Sequence, residues 1–279
     1  MKSSLLILFL SFFGIQFAYA ETYRVDDTDL NIPAPIGFVR VTPQMNAVYR
    51  LSQLTTSSSN EQLAFYIQEK DGPAAMSGAL PKLNRYFSLQ LNKRLKGAIV
   101  TGKDFGNFKN VIKRQNADLI NSLESQFPSL FDIKSRQISK AFNIQIALRL
   151  TTMIPLEMHV DENNAFAYSF FGKLGISTEE NQKDLILSGT CSFINVSDKV
   201  VFLYCYGEQD DLDWTRTASR DWAERILNNT STEAQKTTAR TNQALDWGKV
   251  GERTLIGVTA VAVVFLGSYL VSKSRGNKG

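Results

Sequence analysis

Residues 254–272 run for nineteen positions without a charged side chain. As a helix this segment is about 28 Å long at 1.5 Å per residue, close to the roughly 30 Å hydrocarbon core of a bilayer. Lipid cannot satisfy backbone amides, so an uncharged run of this length is expected to cross as a helix. A helix buried in a soluble core normally keeps a polar face, and this run has none. Lys273, Arg275 and Lys278 follow in a seven-residue tail without acid. Short positive tails stay on the cytoplasmic side.

The other end of the chain agrees with that orientation. Lys2 precedes an apolar stretch from Leu5 to Phe17, and Ala18-Tyr19-Ala20 supplies small residues around a larger one. This is the order of a secretory signal peptide, over residues 1–20. The sequence therefore predicts an exported domain over 21–228, a juxtamembrane tether over 229–253, a single transmembrane helix over 254–272 and a cytoplasmic tail over 273–279. The expected location is the membrane, single-pass, with the domain periplasmic or extracellular.

The net charge of +4 falls by one when Lys2 is lost with the leader. That balance, together with export, does not fit a nucleic-acid binder. Cys191 and Cys205 are the two cysteines, an even pair in an oxidising space. Both lie in strand-like runs, 185–196 and 200–206, joined by Ser197-Asp198-Lys199. If Val196 pairs with Val200, Cys191 faces Cys205, and a buried cross-strand disulfide is expected. Two free buried thiols are the alternative.

Along the domain, a turn-rich entry leads to strands around 38–41 and 63–68. Residues 81–96 read as an amphipathic helix, with Leu80, Leu83, Phe87, Leu91 and Leu95 at steps of three or four. Lys82, Arg85, Lys93 and Lys96 then share one face, within about 80° at 100° per residue, with Leu89 among them. A second helical pattern runs over 108–127, and its first half is also compatible with a strand. Four β-rich runs follow at 143–153, 165–174, 185–196 and 200–206, an expected antiparallel meander. A helix over 211–227 closes the domain, with Trp214, Ala218, Trp222 and Ile226 on one face. The fold class expected is α+β, an antiparallel sheet packed by helices.

The Pro35, Gly37, Phe38 entry, the central helix, the late meander and the closing Trp-bearing helix resemble the PsbP-like α/β/α sandwich in their order. The resemblance covers about residues 30–228. It implies an accessory or binding module of a larger assembly, and carries over no functional residue.

Candidate chemistry is sparse. His159 is the only histidine, which rules out a multi-histidine metal site; it is expected to be structural. Glu208, Asp210, Asp211 and Asp213 lack Asp-x-Asp-x-Asp-Gly spacing and stand where carboxylates cap a helix. Residues 79–114 hold nine Lys or Arg against the single acid Asp104. Their face is either simply solvated or a docking surface for an acidic protein or anionic envelope component, through Lys82, Arg85, Leu89, Lys93 and Lys96. Asn195, Asn228 and Asn229 stand in Asn-x-Ser/Thr sequons. No catalytic residue, metal or cofactor is expected. The function expected is a membrane-anchored binding or assembly module; an envelope hydrolase with a carboxylate-based site and a ligand-binding sensor are the alternatives.

Overall fold

A computed structural model describes residues 20–124, 127–179 and 182–231. Residues 1–19 of the leader, the tether from residue 232 and the apolar run 254–272 lie outside the described residues. Among the described residues, no helix is long and apolar enough to cross a membrane.

The elements in chain order are β1 (Ala20–Val25), β2 (Thr28–Pro33), β3 (Phe38–Arg40), α1 (Asn46–Thr55), β4 (Asn60–Gln68), α2 (Gly72–Met76), β5 (Tyr86–Asn92), α3 (Gly102–Glu124), α4 (Phe127–Phe142), β6 (Ala147–Asp161), β7 (Ala165–Ser177), β8 (Gln182–Val196), β9 (Lys199–Glu208) and α5 (Leu212–Ser231). Seven strands form one sheet in the order β3-β4-β5-β9-β8-β7-β6, every neighbouring pair antiparallel. The sheet is covered on both faces. Val48 and Leu51 of α1, Phe105, Phe108 and Ile112 of α3, and Phe131 and Ile138 of α4 pack one face. Trp222 and Ile226 of α5, with Tyr23, Val25, Leu30 and Ile32 of the β1–β2 hairpin, pack the other. The α+β class, the four-strand meander and the closing Trp-bearing helix all stand as expected. The stretch 108–124 is helical throughout.

The helix expected over 81–96 is not there. Tyr86–Asn92 is a strand buried along its whole length between β4 and β9. Apolar residues four apart satisfy both periods, because four is a multiple of two as well as near 3.6. Leu89 is the residue that decides. On a helix it sits alone among cations; on the strand it joins Phe87 and Leu91 in the α5-side core. The polar residues that imitate a solvated face, Ser88, Gln90 and Asn92, are buried on the other side. Asn60 donates to Gln90, Gln90 donates to Ser88, and the Asn92 side-chain oxygen accepts from the Arg94 backbone amide, so all three find partners inside the protein.

The expected disulfide is also absent. The β8–β9 hairpin closes with two residues, Ser197 and Asp198, at φ 49° and 57°. Paired positive φ values make the mirror-image turn whose twist suits two-residue hairpins. Val196 therefore pairs with Lys199, and the register runs one residue short of the Val196–Val200 pairing. A one-residue shift moves a side chain to the other face of a sheet. Cys191 pairs with Tyr204 and packs under the α1-side helices, while Cys205 pairs with Thr190 and packs under α5. Both are free and fully buried, and burial pushes both thiols well above their ordinary range. Alkylation of unreduced protein is expected to leave both thiols unlabelled when folded and to label both after denaturation. Mass spectrometry showing no label on denatured, unreduced chain would restore the bridge.

Gly189 of β8 is fixed by a neighbour rather than by its dihedrals. A Cβ there would lie 2.3, 2.7 and 3.0 Å from atoms of the Phe170 ring. Phe170 is itself buried and packed edge-on against Tyr206, so it has little room to retreat. Gly189→Ala is expected to cost about 1–3 kcal/mol as overpacking, read as a lowered denaturation midpoint.

Candidate functional site

The five residues expected to make a basic docking face do not share one. Lys82 pairs with Glu208 at 2.9 Å and Lys96 with Glu61 at 2.7 Å. Arg85 donates through Nε to Asp211 at 3.1 Å and lies over the Trp214 ring, 4.6 Å from its centroid. Lys93 donates to the Ser58 carbonyl. Leu89 is wholly buried and cannot serve as an apolar contact for a partner. These cations fall beyond the two ends of β5, and each already has an acceptor. Exposed pairs of this kind contribute about 0–1 kcal/mol each.

The acidic cluster does cap, as expected. Glu208 and Asp211 form a reciprocal capping box at the short turn Gln209–Asp211 that leads into α5. The Asp211 carboxylate accepts from the Glu208 backbone amide at 3.0 Å. Among the sequons, the Asn195 side-chain amide already donates to the Val100 carbonyl.

A different cluster forms where α5 crosses the meander. Successive turns of α5 place Thr215 and Ser219 against β8. Thr215 and Thr190 share a hydroxyl hydrogen bond of 3.0 Å, Thr190 and Ser169 one of 2.8 Å, and Ser192 and Ser219 one of 2.7 Å. This ladder of hydroxyls is buried and self-satisfied. At its outer end, Arg216 donates through Nε to Ser169 Oγ at 3.2 Å.

His159 approaches the same place from β6. Met158 packs with the α1-side core, yet Val160, two residues on, lines a shallow pocket together with residues of α5. Regular alternation would put both on one face. A register shift between Met158 and Val160 reverses the alternation, and His159 is the residue inside it. Bulges re-aim side chains in this way. Both imidazole nitrogens are buried without a hydrogen-bond partner. Burial, then the charges of Arg216 and Arg220, push the imidazole down to about 4. It is neutral at neutral pH, a poor base there, and bonded to no hydroxyl, so no nucleophile–base couple is formed.

Arg216 and Arg220, one helical turn apart, form no ion pair among the described residues. Arg220 lines the shallow pocket with Val160, Ala167, Ser192, Glu162 and Glu224. Sequence reasoning took His159 as structural and passed over both arginines. The only signal for them was the pattern of Thr215 and Ser219 beside Arg216 and Arg220, a polar stripe adjoining the Trp face of the last helix.

No family model matches the chain, and no curated protein matches it. Among solved structures, the chain is similar to the solution structure of cyanobacterial PsbP (CyanoP) from Synechocystis sp. PCC 6803, at 10% identity and a TM-score of 0.30, over 76% of this chain and 94% of that one. At that identity and TM-score the likeness carries no argument about site or function.

Proposed function

We propose that this chain is an exported, membrane-tethered binding or assembly module without catalytic activity, and that its partner is anionic. The observation that carries the reading is the uncompensated pair Arg216 and Arg220 beside a neutral imidazole. Lys82, Arg85, Lys96, Lys109 and Lys113 each have a carboxylate partner, whereas the half-buried Arg216 has only the Ser169 hydroxyl. Arg216 is half-buried and Arg220 exposed; a half-buried cation without a counter-charge is costly, and a partner that supplies one recovers part of that cost. The leader, the uncharged run 254–272 and the basic tail support the tether and its orientation. A carboxylate-based hydrolase gains no support from the acidic cluster, since Glu208 and Asp211 are engaged in capping and in ion pairs.

Cross-linking of the full-length protein in its native membrane, followed by mass spectrometry, tests this. The expected result is a reproducible acidic partner joined through α5 or β6, whose yield falls as salt rises. Partners absent from those elements, or capture indifferent to salt, would defeat the reading.

A further inference from the structure

We propose that Arg216, Arg220 and His159 form a site for one phosphate-type oxyanion, held between α5 and the bulge of β6. The inference rests on the anionic-partner reading above and narrows it to a chemical class.

The first argument is preorganisation. Ser169 fixes the Arg216 guanidinium through Nε, and Ser169 is itself held by Thr190, which is held by Thr215. The guanidinium is thus anchored through one donor, and its two terminal nitrogens remain as a fork. Such a fork matches the oxygens of a phosphoryl or carboxylate group. Arg220 stands one helical turn away, at the ~5–6 Å spacing of i,i+4 neighbours. The second argument is the imidazole. The ring is half-buried, yet both of its nitrogens are buried with neither bonded, and its N–H asks for an occupant that accepts from it. The third is stoichiometry. Three donor groups from two elements suit a group with three terminal oxygens better than a carboxylate with two.

The surrounding charges are mixed, and they restrict the site. Glu162 and Glu224 line the adjoining pocket beside Arg220 without pairing to it. On β6 itself, Asp161 is taken up by Lys109 and Lys113 of α3, and Glu157 is exposed. The two carboxylates of the pocket repel an extended polyanion from that side, which restricts the proposal to a single oxyanion close to Arg216.

His159 reports on the site, because the chain has no other histidine. Burial first, and then the two guanidiniums, depress its pKa to about 4; an oxyanion bound among the guanidiniums opposes their field and raises it. The test is an imidazole NMR titration of the full-length protein in a phosphate-free detergent, with inorganic phosphate, with glycerol phosphate, and with chloride at matched ionic strength. The expected result is a rise of about one unit or more with either phosphate and none with chloride. A larger rise with glycerol phosphate assigns the natural group to a phosphomonoester, such as a headgroup; a larger rise with inorganic phosphate assigns it to the free ion. In the double variant Arg216→Gln and Arg220→Gln, the starting pKa is higher, because two cations are gone, and the response to phosphate disappears. A phosphate response retained in that variant, or an equal response to chloride, overturns the site. Salt-sensitive capture of an acidic protein through α5 with no phosphate response overturns the oxyanion and leaves the binding-module reading; absence of both defeats both.

Discussion

Trp222→Ala is expected to destabilise the domain by about 3–5 kcal/mol, the range of large-to-small aromatic truncations in cores. Trp222 is 1% exposed, and three layers of the fold meet on it. Its indole N–H donates to the Pro33 carbonyl at 2.7 Å, which fastens α5 to the end of the β1–β2 hairpin. Its ring meets Phe87 edge-on at 5.0 Å and Tyr66 edge-on at 5.3 Å, which fastens α5 to the sheet. Truncation leaves a cavity and also strands the Pro33 carbonyl, a loss of about 1–3 kcal/mol where the group stays buried. Trp222→Phe separates the two effects, since it keeps most of the ring contact and loses the donor. The expected order in a denaturant series is wild type, then Phe, then Ala. A cost below about 1 kcal/mol for Ala would mean that the hairpin and α5 are seated by other contacts. Because α5 also carries Arg216 and Arg220, a loosened helix is expected to blunt the phosphate response before the domain unfolds.

How much of this was legible in the sequence depends on which period the residues could satisfy. The meander was readable because Ala165 to Leu174 and Leu185 to Val196 are too rich in β-branched and aromatic residues for a helix, and the Asp161-Glu162-Asn163-Asn164 run marks a turn. The last helix was readable because Trp214, Ala218, Trp222 and Ile226 repeat at four while the residues between them, Ala223 apart, are polar. β5 was not readable. Its apolar spacing fits two periods, and its buried polar face, Ser88, Gln90 and Asn92, looks like a surface until Asn60 is brought to it from β4. The hairpin register hung on Ser197 and Asp198 both adopting positive φ, a backbone state that Asn-Gly announces and Ser-Asp does not. With the register went the disulfide. The cationic site was hidden for a related reason. Arginines at i and i+4 on a helix flank are ordinarily solvated, and only the β6 bulge, invisible as a spacing, brings His159 to them. Lys82, Arg85, Lys93 and Lys96 drew notice by number, yet the fold gives each an acceptor from a distant segment.

Lys134 makes the domain more stable as pH rises from 8 to about 10.5. It lies on α4 and is 8% exposed, with Nζ donating to the Leu54 and Thr56 carbonyls at the end of α1. Burial pushes its pKa down from 10.5 to about 8. An unfolded lysine still holds its proton between those two values, whereas the folded one has released it. The lysine's contribution to stability therefore climbs with pH across that window and is lowest below it. The span corresponds to about 3 kcal/mol as an upper figure, at 1.36 kcal/mol per unit. The two carbonyls act the other way: they favour the ammonium, as does the negative end of the α1 dipole. If they prevail, the profile flattens. Tyr66 opposes the trend at higher pH, because burial raises its phenol to about 12 and the folded chain then keeps a proton that the unfolded chain loses. Lys134→Met removes the lysine contribution and leaves the tyrosine one. Cys191 and Cys205 oppose the lysine trend too, because burial keeps both thiols protonated where unfolded thiols ionise, so the expected result is a denaturation midpoint that falls more steeply from pH 7.5 to 9.5 in the variant than in the wild type. Parallel profiles would show that the Leu54 and Thr56 carbonyls hold the proton through the whole window. The ammonium would then be a permanent cap on α1, and burial alone would be the wrong guide to its charge.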